Sequence, residues 1–221
     1  MKTHILAATL VAAVMAGVNP AHAGEPAKAP DTRTDAAPKQ EIRLERVTPE
    51  YWRVTLDNPP FNLFGPETIP QLNSVITQME SDSHVKVVVF QSAVPGFFLT
   101  HYDFVPPLSA TTDIPPGVTG LPALPDILVR LSRAPVVSIV SIRGRTTGVG
   151  GELSLASDMR FASREKAVIS QWEIGGGLVP GGGPMARLPR LIGRGRALEV
   201  LLSGEDIPGQ HSSKWQEPRN V

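Results

Sequence analysis

The apolar positions of the chain fall into short runs with two different periods. Trp52, Val54 and Leu56 alternate with Arg53 and Thr55, the two-residue period of a strand with one buried face. Residues 41–47 read as its partner across a Thr-Pro-Glu turn, which predicts a hairpin over 41–56. Ile69, Leu72, Val75, Ile76 and Met79 stand three and four apart, one face of an amphipathic helix, and Pro66 suits the first turn of that helix. Residues 85–90 form a nearly continuous β-branched run, as expected for a strand covered on both faces, and 136–142 read as a second buried strand. Helices are expected over 124–131 and 150–157, and short strands over 159–162 and 167–170. Helical spacing returns over 185–192 and 196–202, with Pro189 breaking or kinking the first of these. Strands alternating with helices predict an α/β fold with a largely parallel arrangement. The connection from Ser92 to Pro125 is Pro-rich and aperiodic, a length that is usually functional or mobile.

The N-terminus lies outside this pattern. Lys2 and His4 lead into an apolar run over residues 5–18, followed by Ala21-His22-Ala23, the form of a secretory signal peptide. The run is shorter than the roughly 20 residues a membrane-spanning helix needs. Residues 1–23 are therefore expected to be a leader cleaved after Ala23, giving an exported protein, periplasmic or secreted, that is free of the membrane. Residues 24–40 hold no large apolar side chain and read as a disordered linker. Residues 41–209, about 170 in all, suit one domain, and 210–221 form a polar, irregular tail.

Charge and composition narrow the chemistry. Lys and Arg total 21 against 21 for Asp and Glu, so no nucleic acid or anionic surface is called for as a partner. Arg187, Arg190, Arg194 and Arg196 form a local cluster, either solvated helix faces or contacts to a phosphorylated ligand. The chain has no cysteine, which excludes disulfides, thiol catalysis and thiolate metal sites. His84, His101 and His211 stand alone without a His-Glu-x-x-His pattern, so no metal is expected. No Gly-x-Gly-x-x-Gly opens a helix after the first strand, and Gly181-Gly182-Gly183 leads to Pro184-Met185 rather than Lys-Ser or Lys-Thr. Both phosphate-cradling nucleotide motifs are thus absent.

Two carboxylates stand beside glycine-rich turns: Glu152 after Gly148-Val149-Gly150-Gly151, and Glu173 before Gly175-Gly176-Gly177. Glycine lets a main chain approach a ligand closely. Backbone N–H groups can then stabilise an anion while the carboxylates handle protons, which points to an enzyme.

From about residue 56 to 205 the chain resembles the enoyl-CoA hydratase/isomerase (crotonase) family. The resemblance rests on Asn58-Pro59-Pro60-Phe61-Asn62, on Gly144 through Asp158, and on Trp172 through Gly204, with Arg187-Leu188-Pro189-Arg190-Leu191-Ile192-Gly193-Arg194-Gly195-Arg196 inside the last stretch. It implies a spiral of strand-strand-helix (ββα) units and an acyl-CoA or other thioester substrate, with coenzyme A as part of that substrate and no separate cofactor. The carbonyl oxygen would be held by the N–H groups of Thr100 and Val149 while an enolate forms. Val149 has independent physical support, since the first N–H groups of a helix are unpaired and its dipole end is positive. Glu173 would supply a proton at C2, and Glu152 would orient and deprotonate water. Thr100, His101, Tyr102, Asp103, Gly148 and Val149 would line the substrate.

The sequence departs from the family in several places. The family commonly has Gly where His101 and Val149 stand, and a larger residue there is costly wherever φ is positive. His101, Tyr102 or Asp103 can alternatively supply a side-chain acid or base. Family members assemble as trimers or pairs of trimers and continue into C-terminal helices. Residues 210–221 lack a helical period, so that region reads as missing, which weighs against the assembly. Export also conflicts with a cytoplasmic CoA ester. Two other readings share the fold: a hydrolase using Ser138, Ser141 or Ser170, and a catalytically degenerate exported binding module.

Overall fold

The computed structural model describes residues 39–212. The expected leader over 1–23, nearly all of the linker and most of the tail lie outside the described residues.

The hairpin forms as the alternation predicts. β1 (Ile42–Arg46) pairs antiparallel with β2 (Tyr51–Leu56), Ile42 opposite Leu56, and Trp52, Val54 and Leu56 face the core. α1 (Thr68–Ser81) buries Ile69, Leu72, Val75, Ile76 and Met79, each contributing about 1.5–3 kcal/mol of transfer free energy. It begins two residues after Pro66, because the Gly65 carbonyl accepts both Thr68 and Ile69 N–H. β3 (Val87–Ser92) starts later than the apolar run. Val85 is buried, but Lys86 and Val87 both donate to Glu50 C=O, so the ladder opens only there.

The Pro-rich connection carries one short helix, α2 (Ser109–Thr112), before α3 (Ala123–Leu131). Its end is tied down by charge. Asp126 accepts Thr119 N–H and hydroxyl at 2.8 and 2.7 Å. Arg130, one turn along α3, bonds Glu80, Asn73 and Thr77 on α1 as well as Asp126. Buried charges persist where they are paired in this way.

β4 (Val137–Ile142), β5 (Arg145–Thr147) and α4 (Val149–Ala156) form one strand-strand-helix unit. β6 (Met159–Ala162), β7 (Val168–Ser170) and a 3-10 turn over Trp172–Gly176 form the next. α5 (Pro184–Ile192), α6 (Arg194–Ser203), β8 (Ile207–Pro208) and α7 (Gly209–Ser212) follow. The larger sheet has the order β1-β2-β3-β4-β6, parallel throughout except at the hairpin. The smaller has the order β5-β7-β8, parallel and then antiparallel. This is the α/β spiral expected from the sequence. Pro189 does not break α5. The bond it removes would reach back to Met185, in the first turn of the helix.

Candidate active site

Two glycine turns are brought together by β5 and β7, which run parallel and deliver them side by side. Gly148 N–H donates to Ser170 C=O at 3.2 Å, and the Gln171 amide reaches Gly148 C=O at 3.5 Å. Gly148 has φ 52° and ψ −118°, a region closed to L side chains. A Cβ there would lie 3.1 Å from Trp172 Nε1, 3.2 Å from His101 Cβ and 3.3 Å from Glu173 Oε1. Three side chains therefore converge on bare backbone.

Glu152 sits on the first turn of α4 and is 2% exposed. Its Oε1 accepts Gly182 N–H at 2.6 Å, and a Cβ on Gly182 would overlap the same carboxylate. Arg187 on α5 donates to Gly182 C=O at 2.6 Å and to Leu128 C=O at 3.2 Å, fixing the segment that carries this donor. Burial pushes the Glu152 carboxyl up to about 7; the charge of Glu173 adds to the rise, while Gly182 N–H and Arg187 oppose it. Glu173, in the 3-10 turn, is also raised by burial, with a backbone hydrogen bond and His101 working against the shift. Its Oε2 has no hydrogen-bond partner among the described residues. The charge of Glu173 thus adds to burial in discouraging Glu152 from ionising, which holds a proton ready on that carboxyl near neutral pH.

A raised carboxyl has a consequence for stability. Between pH 4.5, the ordinary value, and about 7 the folded chain keeps a proton on Glu152 that the unfolded chain releases. Stability is therefore fullest below that window and falls as pH rises through it, by roughly 3 kcal/mol for such a shift. Glu152→Gln is expected to flatten this slope. Urea unfolding at pH 5 and pH 8 measures it, and an unaltered slope in the variant would show that Glu152 is not its source.

Main-chain donors complete the geometry. Val149 N–H, the first of α4, has no acceptor among the described residues. Thr100 behaves otherwise. Its N–H donates to Asn62 C=O at 2.9 Å and its hydroxyl to the Phe61 and Asn62 carbonyls, so the donor expected there is already engaged. The open donor lies two residues on. Phe64 brackets Tyr102, giving its N–H to His101 C=O at 3.0 Å and accepting Asp103 N–H at 2.8 Å. In a parallel pairing of this kind Tyr102 N–H points to the opposite edge. That edge is where Thr147 and Gly150 bond Leu99 and Thr100, and Tyr102 N–H has no acceptor among the described residues.

The sequence profile described as enoyl-CoA hydratase/isomerase matches residues 51–216. The chain belongs to the enoyl-CoA hydratase/isomerase family. It is 32% identical over 148 residues to mouse mitochondrial enoyl-CoA hydratase domain-containing protein 2, covering 67% of this chain and 49% of that protein. To human mitochondrial methylglutaconyl-CoA hydratase it is 30% identical over 152 residues, covering 68% and 44%. An enoyl-CoA hydratase structure from Bacillus anthracis superposes with a TM-score of 0.71 at 25% identity, covering 80% of this chain and 67% of the other. The chain spans about half the length of the curated relatives it matches.

Within this family scaffold the departures at positions 101 and 149 carry no backbone strain. Among the described residues Asn62 is the one non-glycine with positive φ, and the left-handed demand falls on Gly148. Of the expected substrate-lining residues, Gly148, Val149, His101 and Tyr102 come together. Asp103 turns its carboxylate to Val105 N–H at 2.9 Å instead. Of the three serines named for a hydrolase, two are engaged elsewhere, Ser138 with Asp158 at 2.7 Å and Ser170 with Gly204 C=O at 3.2 Å. The sequence reading missed Gly182 and Arg187, the supports of Glu152. Their signal was the triple glycine that ends four residues before Arg187, the first arginine of the basic cluster.

Proposed function

We propose that the protein is a hydro-lyase or isomerase acting on an acyl thioester, with Val149 and Tyr102 N–H groups receiving the carbonyl oxygen and Glu152 and Glu173 moving protons. For hydration of a 2-enoyl thioester, Glu152 takes a proton from water as its oxygen bonds C3. The C2–C3 π electrons shift onto the thioester carbonyl as an enolate. The enolate collapses to form a C2–H bond with a proton from Glu173. Water is added in total, and the Glu152 proton returns to Glu173 through solvent. Each N–H donor stabilises the developing oxyanion by about 2.7–4 kcal/mol in comparable sites. The same pair shifts a double bond if one carboxylate removes a proton and the other delivers one two carbons away. The single observation that carries this reading is the pair of buried carboxylates, both raised by burial, in a site with two main-chain N–H groups that have no acceptor among the described residues.

The test is incubation of the full chain with crotonyl-CoA and a 3-enoyl-CoA in deuterated water, with products read by mass spectrometry. The expected result is a 3-hydroxyacyl product with one deuterium at C2, or the conjugated isomer. Binding without product or C2 exchange would remove the enzyme reading and leave the binding module.

A further inference from the structure

Four rings gather on the Glu173 side of the carboxylate pair, where His101 and Trp172 meet that residue around Gly148. His101 stacks on Phe104 with centroids 6.1 Å apart and planes at 23°, and meets Trp172 edge-on at 5.1 Å. Phe104 meets Trp172 edge-on at 6.1 Å and Tyr102 at 5.8 Å. Phe, Trp and Tyr make up only 5% of the chain, so general composition does not account for the cluster.

The cluster is incomplete as a packed surface. Phe104 is 56% exposed and Val105, beside it on the Pro-rich connection, 90%. Trp172 Nε1 is buried and has no acceptor among the described residues, and Glu173 Oε2 is buried without a partner next to it in the chain. An exposed ring face gains from being covered, while a buried N–H without an acceptor is costly. A saturated alkyl tail would cover the rings but leave the indole N–H unmet. A flat ring bearing an oxygen meets both needs, with edge and face contacts at aromatic spacing and an acceptor for the N–H. Position matters too. Trp172 Nε1 and Glu173 Oε1 both approach the same point over Gly148, so whatever covers the indole lies next to the reacting carbons.

We infer that the acyl group is aromatic: a 3-aryl-2-enoyl thioester whose ring packs against Trp172, Phe104 and His101 and whose ring oxygen accepts the Trp172 indole N–H. The inference rests on the thioester reading above. It gives His101 and Trp172 a shared task, forming a wall beside Glu173 rather than relaying protons.

Isothermal titration of the full chain with 4-hydroxycinnamoyl-CoA, cinnamoyl-CoA and 2-hexenoyl-CoA tests it. Affinity is expected to fall in that order, with about tenfold between the first and the last, as one or two aromatic contacts supply. Trp172→Leu is expected to bring the aryl-to-alkyl ratio near one, and Phe104→Leu, at a half-exposed position, to reduce it several-fold without disturbing the fold. A 2-hexenoyl ester that binds as tightly as both aryl esters, or an unchanged ratio in both variants, overturns the aromatic assignment while the thioester reading stands. Failure of all three esters to bind overturns both.

Discussion

Glu173→Gln is expected to lower kcat for hydration of a 2-enoyl thioester by about 10²–10⁴-fold, the usual contribution of a positioned acid or base. Glutamine keeps the shape of the side chain but can neither give nor take the proton required at C2. KM is expected to move much less, because the carbonyl oxygen would be held by Val149 and Tyr102 N–H groups, which the substitution leaves in place. Glu152→Gln is expected to cost a similar factor for a different reason. Its Oε1 still accepts Gly182 N–H, so the loop keeps its geometry while the base for water is lost. The double variant should fall little further than the worse single one, since the two groups act as a unit. The pH profile adds a second reading. With the Glu152 carboxyl held near 7, kcat/KM of the parent is expected to rise with pH through that region as the base ionises, and the limb should vanish in Glu152→Gln. Stopped assays on the purified variants, with circular dichroism to confirm folding, decide the matter. Turnover retained by both single variants would sink the two-carboxylate mechanism.

The parts of the molecule that could be read in advance are those whose cause is local. α1 and β2 announce themselves because a buried face imposes its period on successive side chains, and Ile69 through Met79 or Trp52 through Leu56 display it directly. β5 and β8 do not. They are three and two residues long, too short for any period, and exist because neighbouring turns of the spiral supply bonding partners. The start of β3 was displaced for the same reason, by two donors converging on Glu50 C=O. The site divides along this line as well. Glu152, Glu173, Gly148 and Val149 sit in or beside glycine runs, and those runs mark close backbone approach in the sequence itself. Which amide near residue 100 remains open depends on how residues 62–64 pair with 100–103, and in a strand a slip of one position reverses the direction of every N–H. Thr100 and Tyr102 are equivalent by parity, so the alternation alone does not choose between them. Asn62 decides it, by offering its carbonyl to Thr100.

Gly150→Ala is expected to destabilise the protein by about 3 kcal/mol or more, the range reached when a rigid, fully packed position is overfilled. Helix propensity predicts the opposite sign, since alanine within a helix is favoured over glycine by roughly 1 kcal/mol, and φ at position 150 is not positive. Contact decides between them. A Cβ there would overlap the Leu99 carbonyl oxygen and lie 2.6 Å from both Leu99 C and Thr146 Oγ1. Neither side can easily retreat. Leu99 C=O accepts Thr147 N–H at 3.3 Å, Gly150 N–H donates to Thr100 C=O at 3.2 Å, and Ser154 hydroxyl donates to Gly150 C=O at 2.7 Å. Any relief must move the start of α4 away from residues 99–102, which would separate Val149 N–H from Tyr102 N–H and weaken the site along with the fold. Gly195→Ala provides the contrast. It lies in α6 with nothing within 4 Å of the added atom, so propensity acts alone and a gain of about 0.5–1 kcal/mol is expected. Urea titrations of the two variants should therefore move in opposite directions. If Gly150→Ala matches or exceeds the parent, the start of α4 is not in tight contact with Leu99 and Thr146.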